Sequence, residues 1–394
     1  MNNSYPRLYA AALLFSITLT VAAQDKKDLF NPVHTAIVSQ TIAPDARSSG
    51  MGDVGAATDP DVNSQYWNLA KYPFCISRAG VSVSYTPWLR ELVNDMYLAN
   101  ITGYYRIGDY SAVSASLNYF SLGEVYTDYS DSGDDYGNTI NPYEFTFDIG
   151  YSLMLSEKFS IGAAVRLLYS DISYSTDDDV SAASAFAADI GCYYNDYFNI
   201  GDRECQLGLG LSIKNIGSKI TFGGSDYSEF IPTNLRIGAA LMIPIDAYSR
   251  FTIAADANKL LVPTYPVQED DETTEEYQQR VEEEYYDVSS ISGIFKSFSD
   301  APGGFSEELE EIYWSVGAEY IYNDRFALRA GYHHESENKG NRKYFTFGAG
   351  FTMSIFSLDA SYVVATAESN PLDQTMRFTL SFDMDGIKDL FRKR

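Results

Sequence analysis

From Phe145 onward the large apolar residues fall on every second position: Phe145, Phe147, Ile149, Tyr151, Leu153 and Leu155. Glu144, Thr146, Asp148, Gly150 and Ser152 take the places between. A period of two is a β-strand with two unlike faces. A tight turn at Ser156 to Lys158 leads into a second strand of the same character, Phe159 to Ser170. Both runs exceed the five or six residues usual in soluble sheets and reach the length that a tilted strand needs to cross a bilayer. Long alternating strands, tight turns, abundant Tyr and Phe, and a second face of Gly, Ser and charge predict an all-β fold, a transmembrane antiparallel β-barrel. The 394 residues then form one unit rather than two soluble domains.

The chain begins with Arg7, an apolar run from Leu8 to Val21, and the small residues Val21-Ala22-Ala23 before Gln24. This reads as a secretory signal peptide over residues 1–23, its apolar run too short to span a membrane as a helix. No Cys follows the cleavage site, which argues against a lipoprotein. The net charge of −26 argues against nucleic acid as a partner, because the phosphate backbone needs clustered Lys and Arg. An aromatic content of 15%, with 32 Tyr, fits girdles at both membrane surfaces and contact with outer-membrane lipid and lipopolysaccharide.

The alternation repeats to the C-terminus and predicts about fourteen strands: 78–87, 94–106, 109–122, 143–156, 158–171, 184–197, 203–216, 232–243, 250–260, 311–322, 325–336, 342–354, 356–367 and 373–383. Connections after even-numbered strands are short, and every long one follows an odd-numbered strand. Outer-membrane barrels put tight turns in the periplasm and long loops outside, so an even count places both termini in the periplasm. Inward parity falls on Glu144, Asp148, Asp189, Arg329 and Arg377, and lipid-facing parity on Phe147, Leu209, Leu328 and Phe347. Gly208 and Gly210, beside Leu209, are expected to tolerate Ser. Residues 24–77 show little alternation, yet Met51, Val54, Tyr66, Trp67 and Tyr72 are too apolar for a disordered leader. The segment is expected to enter from the periplasmic side and plug the lumen. The expected order is therefore signal peptide 1–23, plug 24–77, barrel 78–383 and a basic periplasmic tail 384–394.

The connection 261–310 is too long for a passive loop. Thr273 and Glu276 have capping-box spacing, and Tyr277, Val281 and Tyr285 recur on one face of the helix that follows. Ile291, Ile294, Phe295 and Phe298 then form an apolar cluster on a partly helical extracellular insertion. Such a cluster calls for a docking partner or folds over the barrel's own mouth, and both readings stand. The acidic loops Asp128 to Asp135 and Asp177 to Asp179 read as solvated surface charge, since they lack the regular spacing of a calcium loop. With the turn between the sixth and seventh strands centred near Phe198 and Asn199, Cys192 and Cys205 lie opposite each other. They are then a cross-strand pair or two small residues on the lipid side, and Cys75 stays free. The end of the chain sets Ile387, Leu390 and Phe391 beside Lys388, Arg392, Lys393 and Arg394, which suggests a short amphipathic helix at the periplasmic surface.

Chemistry is harder to find. Only His34, His333 and His334 exist, and no motif ties a Ser to His333. There is no Cys/His metal spacing and no phosphate-cradling Gly loop, so neither catalysis nor a cofactor is expected.

Three stretches carry a likeness to known proteins: Ala46-Arg47-Ser48-Ser49-Gly50-Met51-Gly52-Asp53-Val54-Gly55-Ala56-Ala57, Tyr66-Trp67-Asn68-Leu69-Ala70, and the tail from Phe382 through Asp385-Gly386-Ile387-Lys388. On these the chain resembles the FadL-like barrel superfamily and, within it, the PorV proteins of the type IX secretion system. The resemblance implies a plug motif at Arg47, Gly50, Gly52, Trp67 and Asn68. Where FadL-like plugs usually have Pro, this chain has Leu69, which favours secretion over fatty-acid passage. It further implies a protein without enzymatic activity, which binds the C-terminal signal domains of secreted cargo at a SprA-type translocon. The cargo then goes to a PorU-like sortase with PorQ and PorZ. The competing expectation is an outer-membrane channel for fatty acids or other hydrophobic solutes.

Overall fold

The computed structural model describes residues 30–89, 95–127, 138–172, 182–223, 227–269, 271–366 and 372–384. The signal peptide, both acidic loops and the basic tail beyond residue 384 lie outside these.

Among the described residues fourteen strands close into one antiparallel barrel. They run Ala79–Pro87, Tyr97–Ile107, Ser111–Ser121, Tyr143–Ser156, Phe159–Asp171, Ala183–Ile200, Arg203–Gly217, Asn234–Pro244, Ser249–Leu260, Ile312–Tyr322, Phe326–His334, Tyr344–Thr352, Phe356–Ala365 and Met376–Asp383. Each pairs with its neighbours in sequence, and the first closes on the last with Val81 opposite Phe382. Every predicted strand is present. A short ribbon, Val125–Thr127 with Asn138–Ile140, stands in the connection between the third and fourth strands and was not anticipated.

The alternation sorts side chains as the pattern requires. Phe147, Leu209, Leu328 and Phe347 are exposed on the outer wall, while Glu144, Asp148, Asp189, Arg329 and Arg377 are buried inside. At the long-loop rim a row of rings crosses five strands: Tyr85, Tyr97, Tyr119, Tyr143 and Tyr169, with neighbouring centroids 5.6–6.1 Å apart. Aromatic rings suit a membrane interface, and cross-strand pairs of them brace the sheet.

The turn between the sixth and seventh strands departs from expectation. The ladder continues through Asn199 and Ile200, and Gly201, at φ 62, takes the left-handed position of the turn. Cys205 therefore pairs with Phe198 and Cys192 with Leu211, so the two thiols are not opposed; all three cysteines are free.

The N-terminal segment also runs differently from expectation. Asn31 N–H donates to Asn338 O and Ala36 N–H to Phe230 O, both at the long-loop end. The chain then descends through the short helices Ala46–Ser49, Ser64–Trp67 and Leu69–Phe74. It reaches the short-turn end where Arg106 Nη1 donates to Cys75 O at 2.7 Å. The described part thus enters at the long-loop side. Its last residues must meet Ala79, which starts the first strand beside Tyr105 at the short-turn end.

Candidate functional site

Residues 45–74 lie within the barrel and are fixed to its inner wall by backbone groups that would otherwise be buried unpaired. Ala46 N–H donates to Thr379 Oγ1 (2.9 Å), Gly52 N–H to Thr346 Oγ1 (2.8 Å), and the N–H groups of Gly55 and Ala56 share Asp256 Oδ2 (2.8 and 3.0 Å). The wall makes room by omitting side chains. A Cβ at Gly210 would stand 2.0 Å from Ala56 O, and one at Gly331 2.1 Å from Met51 C. This overturns the expected tolerance of Gly208 and Gly210 for Ser, because those positions are a groove for the segment's backbone. Gly52 has φ 76, and a Cβ there would meet the Tyr332 backbone at 2.8 Å.

Arg47 inserts among wall charges. It meets Glu319 at 3.0 Å and Asp61 at 2.8 Å, and Glu319 also holds Arg329 (2.6 Å), which reaches Asp359 (2.7 Å). A second buried group joins Arg166 to Asp148 (2.9 Å) and Asp189 (2.8 Å). Trp67 is fully buried and donates from Nε1 to Asp45, while its carbonyl accepts from Ser212 (3.1 Å). Asn68 donates to Ala56 O and Cys192 O (3.1 and 2.9 Å) and accepts from Ala70 N–H (3.1 Å). The structure thus brings Arg47, Gly50, Gly52, Trp67 and Asn68 together inside the lumen.

Toward the long-loop end a cavity of about 190 Å³ remains, lined by residues of the segment, among them Tyr66 and Trp67, and by Lys214, Arg236, Arg342 and Arg377 of the wall. His333 also lines it; its Nδ1 lies 2.9 Å from Ser315 Oγ and its ring stacks on Tyr344. No group of three His, Cys, Asp or Glu among the described residues is placed to hold a metal ion.

The outer insertion divides into an inward and an outward part. The capping box at Thr273 and Glu276 opens the helix Thr274–Val281. Val281 and Tyr285 are buried, and Tyr285 packs on Phe230 and Tyr265 and donates to His34 O (3.1 Å). Tyr277, half-buried, donates to Pro266 O. This face holds the insertion to the barrel mouth and the entering segment, so it presents no free docking surface. Lys259 of the wall adds ion pairs to Glu308 and Glu311. Ile291, Phe295 and Phe298 point outward, Phe295 at 74% exposure, with Ile294 half-buried beside them.

A filled lumen under a large outer insertion narrows the possible kinship, and the sequence match decides it: residues 23–267 match the family described as type IX secretion system protein PorV. The chain belongs to the PorV family. No curated protein sequence matches it. In fold this PorV-family barrel is similar to the TodX deltaS2S3 mutant monoaromatic hydrocarbon channel, with a TM-score of 0.52 and 12% identity over 86% of this chain and 98% of that one. Crystal structures of the Pseudomonas putida toluene transporter TodX (TM-score 0.48, 11% identity, 91% and 98% covered) and of a Pseudomonas aeruginosa FadL homologue (0.42, 12%, 90% and 99%) are also similar. Identities this low speak to the fold alone. The protein is an outer-membrane β-barrel of a family concerned with secretion.

Sequence reasoning missed the partners of the PorV-family motif. Arg47 and Glu319 are 272 residues apart, and no local pattern joins them. The wall glycines were legible as inner-face positions but not as a groove.

Proposed function

We propose that the chain is a non-enzymatic carrier of type IX secretion. It binds the C-terminal signal domain of secreted cargo at a SprA-type translocon and passes it to a surface attachment complex of a PorU-like sortase with PorQ and PorZ. Family membership carries this reading. The geometry supports it: residues 45–74 fill the lumen as a plug, and the outer insertion offers Ile291, Phe295 and Phe298 to a partner. Exposed aromatic anchors suit a surface that must grip a folded domain. The long-loop end faces outside the cell and the C-terminal end lies in the periplasm. The test is affinity purification of the tagged barrel from outer membranes. Translocon and cargo are expected to co-purify; their absence, together with a growth defect on a hydrophobic solute, would instead favour a channel.

A further inference from the structure

We propose that the cavity in the long-loop half of the lumen is a binding site for a small organic anion, a carboxylate or phosphate carried on an aromatic or short aliphatic body. This goes beyond the secretion reading and does not depend on it. Lys214, Arg236 and Arg377 all line the cavity, and each is more than nine-tenths buried. Arg236 uses Nε on Asn258 Oδ1 (2.7 Å) and Arg377 uses Nε on Ala43 O (3.0 Å), but the Nη1 atom of each is buried with no hydrogen-bond partner. Lys214 Nζ lies 3.8 Å over the Tyr66 ring, and the Arg236 guanidinium 4.4 Å from the Trp67 ring centre. None of the three meets a carboxylate within ion-pair distance among the described residues. Arg342, the fourth cation, is occupied by Glu335 at 2.7 Å. Asp53, the lining's one carboxylate among the described residues, takes the Tyr344 hydroxyl on Oδ2 and leaves Oδ1 without a partner.

A buried cation without a counter-charge is costly, and this chain carries a net charge of −26, so carboxylates were available to match these three. Elsewhere in the same lumen Arg47, Arg166 and Arg329 are matched. Donors left open toward a cavity fit an anion that arrives from outside. The aromatic and aliphatic lining, Tyr66, Trp67, Trp88, Ile42 and Leu260, fits an apolar body. The size sets a limit: a cavity of about 150 Å³ holds benzene, so 190 Å³ admits a benzoate-sized ligand but not a long acyl chain. Either a free solute or the anionic head group of a lipid supplies this chemistry.

The test uses the full purified barrel in uncharged detergent at low salt, with benzoate, benzamide and inorganic phosphate as probes. Benzoate is expected to bind and to raise the unfolding midpoint, and uncharged benzamide of the same shape to do neither; phosphate alone is expected to bind more weakly than benzoate. Lys214→Met and Arg377→Gln are each expected to weaken benzoate binding at least tenfold, and Lys214→Met to leave the ligand-free barrel as stable or more so. Native mass spectrometry of protein taken directly from outer membranes separates the sources. A retained anionic lipid that excess benzoate displaces assigns a head group, and a site free of lipid that takes benzoate assigns a solute. Equal responses of the unaltered protein to benzoate and benzamide would overturn the proposal even where a variant fails to fold, as would unchanged benzoate binding in both variants.

Discussion

In the short-turn half of the lumen, Glu319 sits between Arg47 and Arg329, and Asp61 and Asp359 complete the set. In the long-loop half, Lys214, Arg236 and Arg377 line a cavity, and among the described residues no carboxylate lies within ion-pair distance of them. The wall contributes Glu319, Arg329 and Asp359 to the first group and all three cations to the second, while Arg47 and Asp61 come from the inner segment. At the barrel mouth Lys259 of the wall and Lys339 of a neighbouring loop are likewise matched, against Glu307, Glu308 and Glu311. The contrast separates cations whose carboxylate partners hold the molecule together from cations that line an open cavity.

The sharpest way to break that contrast is to unbalance the matched half. Glu319→Ala leaves Arg47 and Arg329 facing each other without their shared carboxylate, and removing one partner of a buried pair costs about 3 to 5 kcal/mol. A large fall in the unfolding midpoint is expected, against no loss for Lys214→Met; a similar small effect for both would erase the distinction.

Next in size is the seating of the inner segment. Gly210→Ser sets a side chain against Ala56 O, and overpacking of this kind costs about 1 to 3 kcal/mol. Displacement of the segment should appear as raised conductance of the purified barrel in planar bilayers. Conductance equal to the parent's would show that the groove does not seat the plug.

A smaller effect concerns the insertion, which is clasped by side chains rather than threaded through the lumen. Burial pushes the Asp300 carboxyl up to about 6, with Glu308 and Glu311 adding to it and the Thr264 N–H opposing. Since the unfolded value is about 3.9, the unfolded insertion gives up its proton first as pH rises from about 4 to 6, and the clasp weakens over that window. Above pH 6 both states are ionised and the dependence ends. Limited proteolysis is expected to cut the insertion faster at pH 6.5 than at pH 4.5, and Asp300→Asn to remove that difference; a difference that persists in the variant would place the titration elsewhere.

The wall was legible because its signal is local: a strand between lipid and lumen writes a period of two into its own residues, as at Phe145 to Leu155. What failed depended on contacts far apart in sequence. The helix Thr274–Val281 was readable from Thr273 and Glu276, but which way its apolar face turns is set by Phe230 of another connection and by Val262 at the insertion's own start. The cysteine register missed because three further residues, Phe198 to Ile200, extended the ladder before the turn. The plug motif stood out at Arg47 and Gly52, while the direction of the segment followed only from where the barrel closes.

The division of the insertion supplies the decisive measurement. Tyr285 is buried and structural, whereas Phe295 and Phe298 are exposed, so Phe295→Glu with Phe298→Glu should change stability by no more than about 0.5 kcal/mol. The quantity to measure is surface-attached cargo per folded barrel in cells carrying only this double variant. The account predicts a normal amount of folded barrel with cargo attachment greatly reduced. Normal attachment with the barrel folded and both charges in place would contradict a docking role for this surface.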